Sequence, residues 1–552
     1  MTINPADTTD TMTISPGDTF TPRPRADIAA DLRTALAVSA NDRFIVRHTS
    51  PNEPFYYLGD TAWELFHRLD RAEAELYLRN RAAKGFNSIM VVVMAEHGGL
   101  DFPNRAGAWP FHPATSSKDY VPDMARPNPA YFDFVDEVVG LASQLDMTIS
   151  LVPTWGRYIN GGYYGSPILF DEENARSFGR FLGERYPFHP FILGGDSNRH
   201  WNPEFNAVRN AGRDVSELPL IDYGVITEAM AAGLRDGEAA AIAALDADLK
   251  AQAEGYETFI TFHSAQVWHP KGIETTASAQ FPDADWLSFD CMQTGHYDGP
   301  MPERAGGGTE SAQLGVTDSL WYSKSSYIPM RKMYAARRRD GRPRPVLDLE
   351  AHYESAHHWF SEKYPLWTAD DIRNGMWQGL FAGACGYTYG VNSIWQMHNA
   401  ASVSHPPIAP PTTATVDWFL ELDLPGAWYS SVAKNILLDL PCYFSRVPDQ
   451  SFIVSDTGER EGERAGDTLV SGMRADDWAA VHLPYGGTVQ VDLALAIPSA
   501  KGWKAWWVDP RCGGREVFET GNNLGVRAFS APSAGTLSDD WILLLSVDPY
   551  PL

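Results

Sequence analysis

The chain has 552 residues, more than one ordinary domain holds, so a barrel-sized unit with a smaller second unit is expected. Its 70 Asp and Glu residues outnumber its 44 Lys and Arg residues, and the net charge of −26 at pH 7 repels polyphosphates and anionic membranes. Neither nucleic acid nor a membrane is an expected partner. The 4 cysteines are far apart and lack zinc or disulfide spacing, so we expect no metal and no cofactor.

Residues 1–25 are rich in Thr, Pro and Asp and lack the basic start and the apolar stretch of a signal peptide, so they predict a disordered leader. No apolar run reaches the roughly 18 residues of a membrane-spanning helix, and we expect a soluble, cytoplasmic protein. The rest of the chain divides by texture into a barrel at 26–425 and a β-sandwich at 426–552.

Short apolar runs bounded by turn residues predict eight buried strands. They lie at 55–60, 88–94, 148–155, 191–196, 258–265, 286–293, 345–350 and 382–390. Amphipathic stretches predict helices at 70–84, 130–146, 172–186, 222–253, about 317–338 and 368–381, and the interval 266–285 has little helical pattern. Eight strand-then-helix units indicate a (β/α)8 TIM barrel, with an open doubly wound sheet as the alternative.

The positions of the polar residues favour the barrel over the open sheet. Charged, amide and aromatic side chains fall at or just beyond the carboxyl ends of the predicted strands, where barrel active sites are built. They include Asp60, Glu96, Trp155, Asp196, His263, Asp290, Gln293 and Glu350. The first strand is not followed by the GxGxxG loop that binds the phosphates of dinucleotides.

The pattern of apolar and polar residues changes after residue 425. Short alternating segments at 451–455, 478–482, 488–493, 503–508 and 541–547 predict the strands of a small β-sandwich. The proline-rich segment 402–415 predicts a rigid loop ahead of the last barrel helix.

Asp196 and Glu350 end the fourth and seventh predicted strands, which can face each other across the mouth of one barrel. Two such acids indicate glycosidic bond hydrolysis, with Glu350 as nucleophile and Asp196 as acid/base if the carboxyls lie roughly 5 to 5.5 Å apart. An inverting reaction, which needs roughly 6.5 to 9.5 Å, stays open. Glu354 is the nearest competitor for the role of Glu350.

Several other polar residues are candidates for substrate binding. Asp60 either holds sugar hydroxyls or caps the helix expected near residue 61. Glu96 and His97 lie in a glycine-rich loop after the second strand and are expected to line the pocket. His263 either contacts the nucleophile or a hydroxyl, or is a satisfied core histidine. Further candidates at the same strand ends are Trp63, Asn198, Gln293 and Tyr353.

Tryptophans that follow predicted strand ends offer indole faces for the C–H surface of a sugar. They are Trp155, Trp268, Trp359 and Trp395, of which we expect one or two to contact substrate. His296, His357 and His358 lack the spacing of metal ligands, and the proposed chemistry needs no metal.

Motifs along the chain resemble those of the apiosidase-like glycoside hydrolases. They are residues 55–63 (FYYLGDTAW), 81–87 (RAAKGFN), 194–198 (GGDSN), 347–350 (LDLE) with 353–354 (YE), and 506–511 (WWVDPR). The resemblance covers most of residues 40–552 and implies a (β/α)8 barrel followed by a β-sandwich. It also implies retaining β-D-apiosidase chemistry, with Asp196 as acid/base and Glu350 as nucleophile. Extra length at 223–253 and 299–316 departs from the family and leaves the sugar open.

The expected function is that of a retaining exo-glycosidase which releases a pentofuranose such as β-D-apiose from a small glycoside or oligosaccharide. An arabinofuranosidase or another pentosidase is the alternative within the same class. A non-catalytic carbohydrate-binding protein is the alternative from a different class.

Overall fold

A computed structural model describes most of the chain, with only the backbone described at residue 359. The described residues are 20–117, 119–162, 167–195, 197–204, 207–208, 211–214, 217–265, 276–295, 326–362, 364–409, 412–458 and 468–547.

The strands of the amino-terminal part build one parallel barrel with two added hairpins. In chain order they are β1 (Leu36–Val38), β2 (Ile45–Arg47), β3 (Tyr57–Thr61), β4 (Ser88–Met94), β5 (Phe111–Pro113), β6 (Pro122–Pro127), β7 (Thr148–Thr154), β8 (Phe191–Gly194), β9 (Ile260–His263), β10 (Asp290–Gln293), β11 (Val346–Glu350) and β12 (Gly386–Tyr389). Strands β1 and β2 pair with each other, as do β5 and β6, and the other eight run parallel. All residues of β4 are buried, which is typical of a parallel strand covered on both faces.

The eight parallel strands close into a ring. Six of them pair in the order β12-β3-β4-β7-β8-β9, and β10 pairs with β11. Backbone hydrogen bonds join the two groups, because Ser288 N donates to Ile260 O at 2.8 Å and Cys385 N donates to Val346 O at 3.0 Å. The (β/α)8 barrel prediction is therefore confirmed, and the open doubly wound sheet is excluded.

Helices surround this ring on the outside. They are α1 (Arg25–Thr34), α2 (Leu65–Arg68), α3 (Arg71–Ala83), α4 (Pro129–Gln144), α5 (Arg157–Asn160), α6 (Glu172–Arg185), α7 (Gly224–Ala244), α8 (Ala247–Gln252), α9 (Ala277–Gln280), α10 (Tyr327–Ala335), α11 (Ala369–Phe381), α12 (Asn392–Trp395) and α13 (Pro425–Asp439). Side chains of Asp70, Asp171 and Thr368 cap α3, α6 and α11 in capping boxes. None of the described helices is both long and apolar enough to cross a lipid bilayer.

Each predicted barrel strand overlaps an observed one, and the helix predictions also agree where the structure describes them. The segment 222–253 divides into α7 and α8. Within the interval 266–285 the described part contains the single turn α9, and residues 266–275 lie outside the described residues. The same holds for residues 317–325 of the predicted helix at about 317–338, whose later part is α10.

The carboxyl-terminal part forms two antiparallel sheets. Its elements are β13 (Val447–Pro448), β14 (Ser471–Arg474), β15 (Trp478–Leu483), β16 (Gly486–Asp492), α14 (Leu493–Ala496), β17 (Trp503–Val508), β18 (Arg515–Gly521), β19 (Val526–Ala534) and β20 (Trp541–Val547). Short 3-10 helices lie at His358–Phe360, Trp418–Leu420, Tyr443–Ser445 and Leu537–Asp539. One sheet has the order β13-β14-β15-β20-β17-β18, and β16 pairs with β19. The predicted strand at 451–455 is wrong, because this segment forms only an isolated bridge from Ile453 to Val491.

Side chains alternate across the larger sheet and bury both of its faces. On β20, Leu543 and Leu545 pack with Phe529 toward the smaller sheet. Ile542 and Leu544 belong instead to the core shared with the barrel helices. The two sheets are therefore a sandwich whose outer layer is the smaller sheet and whose inner layer rests on the barrel.

A buried ion pair crosses the junction between barrel and sandwich. Arg373 of α11 donates from Nε and Nη2 to the carboxylate of Asp540 at 2.8 and 2.7 Å. Helix α13 belongs with the barrel, since Lys434 Nζ donates to Gly85 O at 2.6 Å and the first sandwich strand begins at Val447. We propose that the domain boundary follows α13 instead of preceding it at residue 425.

Candidate active site

The carboxylate of Glu350 lies at the carboxyl end of β11, in the mouth of the barrel. The Tyr353 hydroxyl donates to its Oε1 at 2.6 Å, and Nε2 of His263 lies 3.1 Å from its Oε2. Glu350 is only 4% exposed. Both carboxylate oxygens therefore have a polar neighbour that fixes the orientation of the group in a largely dry environment.

Three aromatic rings stand beside this carboxylate. The indoles of Trp63 and Trp155 lie 5.0 Å apart between ring centroids, and the His263 ring lies 5.5 Å from Trp155 and 5.8 Å from Trp63. Trp63 Nε1 also donates to the Tyr353 hydroxyl at 2.8 Å, so a chain of two hydrogen bonds runs from the indole to Glu350. Strands β3, β7, β9 and β11 thus bring together residues that are distant in sequence.

A second group of site residues lies on the loop after β4 and on α12. The His97 ring lies 5.6 Å from the Trp395 ring, and its Nε2 lies 3.5 Å from Glu96 Oε2. Trp395 in turn stacks at 6.2 Å and 25° on Tyr353. Burial, followed by the charges of two nearby arginines, lowers the pKa of His97 to about 3. Its imidazole is therefore neutral at physiological pH and both donates and accepts hydrogen bonds.

Two glycines allow the chain after β8 to approach the Trp155 ring. Gly194 and Gly195 have φ of 83° and 117°, which other residues rarely adopt. A Cβ on Gly195 would lie 2.5 Å from atoms of the Trp155 indole. The next residue, Asp196, lies outside the described residues. The turn before it is held by a hydrogen bond of 2.8 Å from Gly195 N to His263 O.

Asn198 and Gln293 are buried near the same strand ends. Asn198 Oδ1 accepts from His200 N at 3.1 Å, and its carbonyl accepts from Asn160 Nδ2 at 2.8 Å. Its Nδ2 has no hydrogen-bond partner among the residues that the structure describes. Gln293 aligns with Glu350 in the register of β10 and β11, so the two side chains start from the same level of the barrel.

Asp60 does not join the cluster around Glu350. The Tyr57 hydroxyl faces the barrel interior, where it accepts from Ser88 Oγ at 2.9 Å, so the alternation along β3 directs Asp60 outward. There its Oδ2 accepts from the Tyr77 hydroxyl at 2.6 Å and from Arg81 Nε at 2.5 Å. With no exposed surface, Asp60 is a buried structural acid tied to α3, neither a sugar ligand nor a helix cap.

Replacement of Asp60 by Asn is expected to reduce stability and to leave substrate affinity unchanged. The substitution leaves the Arg81 guanidinium buried without its counter-charge, which costs about 3 kcal/mol or more of unfolding free energy. Urea unfolding of the variant measures the loss, and steady-state kinetics of the folded protein measures KM. A raised KM with normal stability would return Asp60 to the substrate site.

Glu354, the competitor for the role of nucleophile, is engaged elsewhere. Its Oε2 accepts from the Tyr389 hydroxyl at 2.5 Å and from Gly426 N, at the start of α13, at 3.0 Å. Tyr389 aligns with the outward-facing Asp60 in the register of β12 and β3. This geometry favours Glu350 over Glu354 as the nucleophile.

Burial raises the pKa of Glu354 from 4.5 to about 7, which predicts a pH-dependent contribution to stability. Because the folded pKa is the higher one, the stabilisation is complete below pH 4.5 and is lost as the pH rises through 7. Between these limits wild type should lose about 3 kcal/mol more unfolding free energy than Glu354→Gln. Urea titrations of both proteins at several pH values measure the difference, and parallel pH profiles would contradict it.

Asp348 is a buried acid near the site, and the sequence analysis did not identify it as a candidate. It precedes Glu350 by two residues, and its Oδ1 accepts from Glu350 N at 3.2 Å and from Thr294 N at 3.3 Å. Burial raises its pKa to about 6. Two acids within the apolar strand Val346–Glu350 are the sequence signal for Asp348. The strand register shifts between them, because Met292 pairs with Asp348 and Gln293 with Glu350, so simple alternation does not place both acids on one face.

The remaining candidates have other positions. Trp268 and His296 lie outside the described residues, as does the side chain of Trp359. His358 stacks on Trp367 at 3.5 Å, and Nδ1 of His357 lies 2.6 Å from Tyr364 O. Among the described residues no group of three acid, His or Cys side chains is arranged to hold a metal ion.

Solved structures share this architecture. One described as "Glycoside hydrolase" aligns with a TM-score of 0.70 at 24% identity, over 94% of this chain and 98% of that chain. A glycoside hydrolase family 5 structure from Bacteroides vulgatus ATCC 8482 aligns with a TM-score of 0.70 at 23% identity, over 94% and 93% of the two chains. No curated protein matches the sequence significantly.

The barrel, the buried Glu350 at its mouth and the family to which the sequence belongs define the class: the protein is a glycoside hydrolase. Residues 39–443 match the family model "Apiosidase-like, catalytic domain". Because this match spans most of the chain, the chain belongs to the apiosidase-like family. Residues 447–546 are similar to a model described as "Putative collagen-binding domain of a collagenase", which coincides with the sandwich.

Proposed function

We propose that the protein is a retaining exo-glycosidase that releases a pentofuranose such as β-D-apiose from a small glycoside. The observation that carries the proposal is the setting of Glu350. Its carboxylate is 4% exposed at a strand end and lies between the Tyr353 hydroxyl and the His263 imidazole. A buried, oriented carboxylate beside aromatic rings suits attack on the anomeric carbon of one terminal sugar.

In the first step Glu350 Oε2 attacks the anomeric carbon while Asp196 protonates the departing glycosidic oxygen. A glycosyl ester on Glu350 and a free aglycone result. Carboxylate charge is lost as the ester forms, and Tyr353, 2.6 Å from Oε1, remains hydrogen-bonded to the oxygen that becomes the ester carbonyl. In the second step Asp196, now ionised, removes a proton from water, and the water oxygen displaces Glu350 and releases the sugar.

The assignment of Asp196 rests on the chain that surrounds it in sequence. Gly195 N donates to the carbonyl of His263, whose ring lies 3.1 Å from Glu350 Oε2. The strand end that carries Asp196 is therefore tied to the residue that contacts the proposed nucleophile. This connection supports a carboxylate pair that works on one glycosidic bond.

The proposed substrate contacts form two groups around Glu350. Trp63 and Trp155 offer ring faces to the sugar, and Gln293, Asn198 and His263 offer polar groups at the same level of the barrel. Glu96 and His97, on the loop after β4, and Trp395, on α12, lie at the rim, where we place the outer side of the sugar or its aglycone. This combination of aromatic faces and polar groups suits a small ligand that is rich in hydroxyl groups.

An arabinofuranosidase or another pentosidase is the second candidate. It uses the same carboxylates and rings, and differs only in which hydroxyls the rim residues bind. The long helix α7 and the segment 299–316, which lies outside the described residues, are where this chain departs from the family in length. The substrate specificity of barrel enzymes commonly changes with the segments that connect the strands and helices. Experiment therefore has to decide which sugar is released.

Hydrolysis of a panel of nitrophenyl glycosides tests the proposal. The panel contains β-apioside, α-arabinofuranoside, β-xyloside and β-galactofuranoside, and Glu350→Gln is assayed beside wild type. Turnover of the apioside alone, lost in the variant, is the expected result. Turnover of another pentoside favours the second candidate. If none of the four glycosides is hydrolysed and Glu350→Gln still binds sugar, the protein is instead a carbohydrate-binding protein.

A further inference from the structure

Glu64, just before α2, and Arg68, at its end, form a buried ion pair, and the two residues contact three separate segments at the barrel mouth. Arg68 Nε donates to Glu64 Oε2 at 3.3 Å, and the two side chains are 4% and 1% exposed. A buried pair is costly to desolvate and is weak support for stability by itself. Its remaining hydrogen-bonding groups therefore indicate what the pair does.

The first loop that the pair contacts is the one that carries Glu96 and His97. Glu64 Oε1 accepts from His97 N at 3.3 Å, and Arg68 Nη2 donates to His97 O at 3.5 Å. Both backbone groups of one proposed substrate residue are thus bound by one ion pair. The orientation of the His97 ring depends on this backbone, because a residue held at both its N–H and its carbonyl has both adjacent peptide planes restrained.

The other two contacts reach parts of the chain about 300 residues away. Arg68 Nη1 donates to Pro406 O at 2.9 Å in the proline-rich loop. The backbone N–H of Glu64, which does not depend on the ion pair, donates to Trp395 O at 3.1 Å. The helix makes a further contact through His67, whose ring stacks on Phe102 at 5.0 Å. His97 and Trp395, whose rings lie 5.6 Å apart, are therefore both bonded to Glu64 at the start of α2.

We propose that Glu64 and Arg68 are positioning residues that set substrate affinity by holding the backbone of His97, and so the contact between the His97 and Trp395 rings, at the rim of the site. The inference rests on the proposed function, in which these two side chains contact the sugar or its aglycone. Neither Glu64 nor Arg68 touches Glu350, so the pair acts on binding and not on the chemical step. Loss of the pair therefore raises KM more than it lowers kcat.

Three variants separate positioning from simple stabilisation. Arg68→Met leaves Glu64 buried and unpaired, so both its melting temperature and its affinity should fall. The double variant Glu64→Gln/Arg68→Met removes both charges, so its melting temperature should recover while KM stays raised by about tenfold, the loss expected for one charged hydrogen bond. Arg68→Lys should restore part of the affinity, because an ammonium reaches one of the two carbonyls.

A matched control is the buried pair Arg373–Asp540 at the junction with the sandwich, whose side chains are 0% and 1% exposed. Arg373→Met should lower the melting temperature without changing KM. If KM rises equally in this control, or returns to the wild-type value in the double variant together with the melting temperature, the inference is overturned.

Hydrogen exchange measured by mass spectrometry tests the same inference without substrate. In the double variant we expect faster exchange over residues 95–105 and 402–409, with unchanged exchange in the barrel strands. The reason is that the N–H of His97 loses its carboxylate acceptor and the carbonyl of Pro406 loses its guanidinium donor. Unchanged exchange in the rim loops would refute the positioning role whatever wild type hydrolyses. Silence of wild type on the nitrophenyl panel is a separate result that counts against the proposed function.

Discussion

Glu350→Gln is expected to lower turnover of the best glycoside by about 10⁴-fold or more, the scale of loss when a nucleophile is removed. An amide oxygen does not attack the anomeric carbon at a useful rate. The folded structure should persist, since the amide oxygen still accepts from the Tyr353 hydroxyl that lies 2.6 Å from Oε1. Initial rates with purified proteins measure the effect, and circular dichroism measures the fold.

Glu238→Gln is the matched control for this variant. Glu238 is another buried glutamate of the barrel, on α7, and its Oε1 accepts from Phe188 N at 2.7 Å. The substitution makes the same chemical change far from Glu350 in the sequence and on the outer helical layer. Turnover should be unchanged in Glu238→Gln. A comparable loss in both variants would mean that the effect of Glu350→Gln is structural.

Asp196→Ala should lose activity in proportion to how much the leaving group needs a proton. With an alkyl glycoside, whose aglycone is a poor leaving group, we expect a loss of about 10³-fold, within the range that general acid catalysis supplies. With a dinitrophenyl glycoside, which departs without protonation, the first step should be nearly unaffected. Parallel assays of the two substrates with wild type and variant measure the difference.

Azide provides the control for this second prediction. The variant lacks the base that activates water, so its glycosyl ester on Glu350 accumulates with the activated substrate. Azide needs no base, and its addition should restore turnover and yield a glycosyl azide with the configuration of the substrate. Equal losses on both substrates, without rescue by azide, would remove Asp196 from the acid/base role.

The barrel is predictable from sequence because its strands are covered on both faces and appear as continuous apolar runs. In β4 every residue is buried, and the sequence therefore carries a signal that no surface strand has. The sandwich is less predictable. Strands β18 and β19 expose most of their residues and contain few large apolar side chains, so the search for alternating apolar segments does not find them.

The site is predictable where chemistry and strand ends coincide. Glu350, His263, Trp155 and Trp63 are brought together as expected, because all follow from one rule about barrel mouths. Asp60 fails the rule, since the end of a strand does not by itself tell whether a side chain points in or out. Tyr57 at the start of β3 settles the direction, and only the structure shows that its hydroxyl contacts Ser88.

The positioning role proposed for Glu64 and Arg68 could not be predicted from the sequence. Their spacing of four residues reads as an ordinary surface ion pair on a helix. In the fold they bond to Pro406 and Trp395, which are more than 300 residues away in the chain. No local pattern contains that information, because it arises when the first and last parts of the barrel meet.

The most direct test of the central claim is mass spectrometry of the protein after reaction with a 2-deoxy-2-fluoro glycoside of the sugar that wild type hydrolyses. The fluorine slows release of the glycosyl ester, so a retaining enzyme is trapped in its covalent state. The account predicts one added sugar on the peptide that contains Glu350, and none in Glu350→Gln. A label on Glu354 or Asp348, or continued hydrolysis without any label, would contradict it.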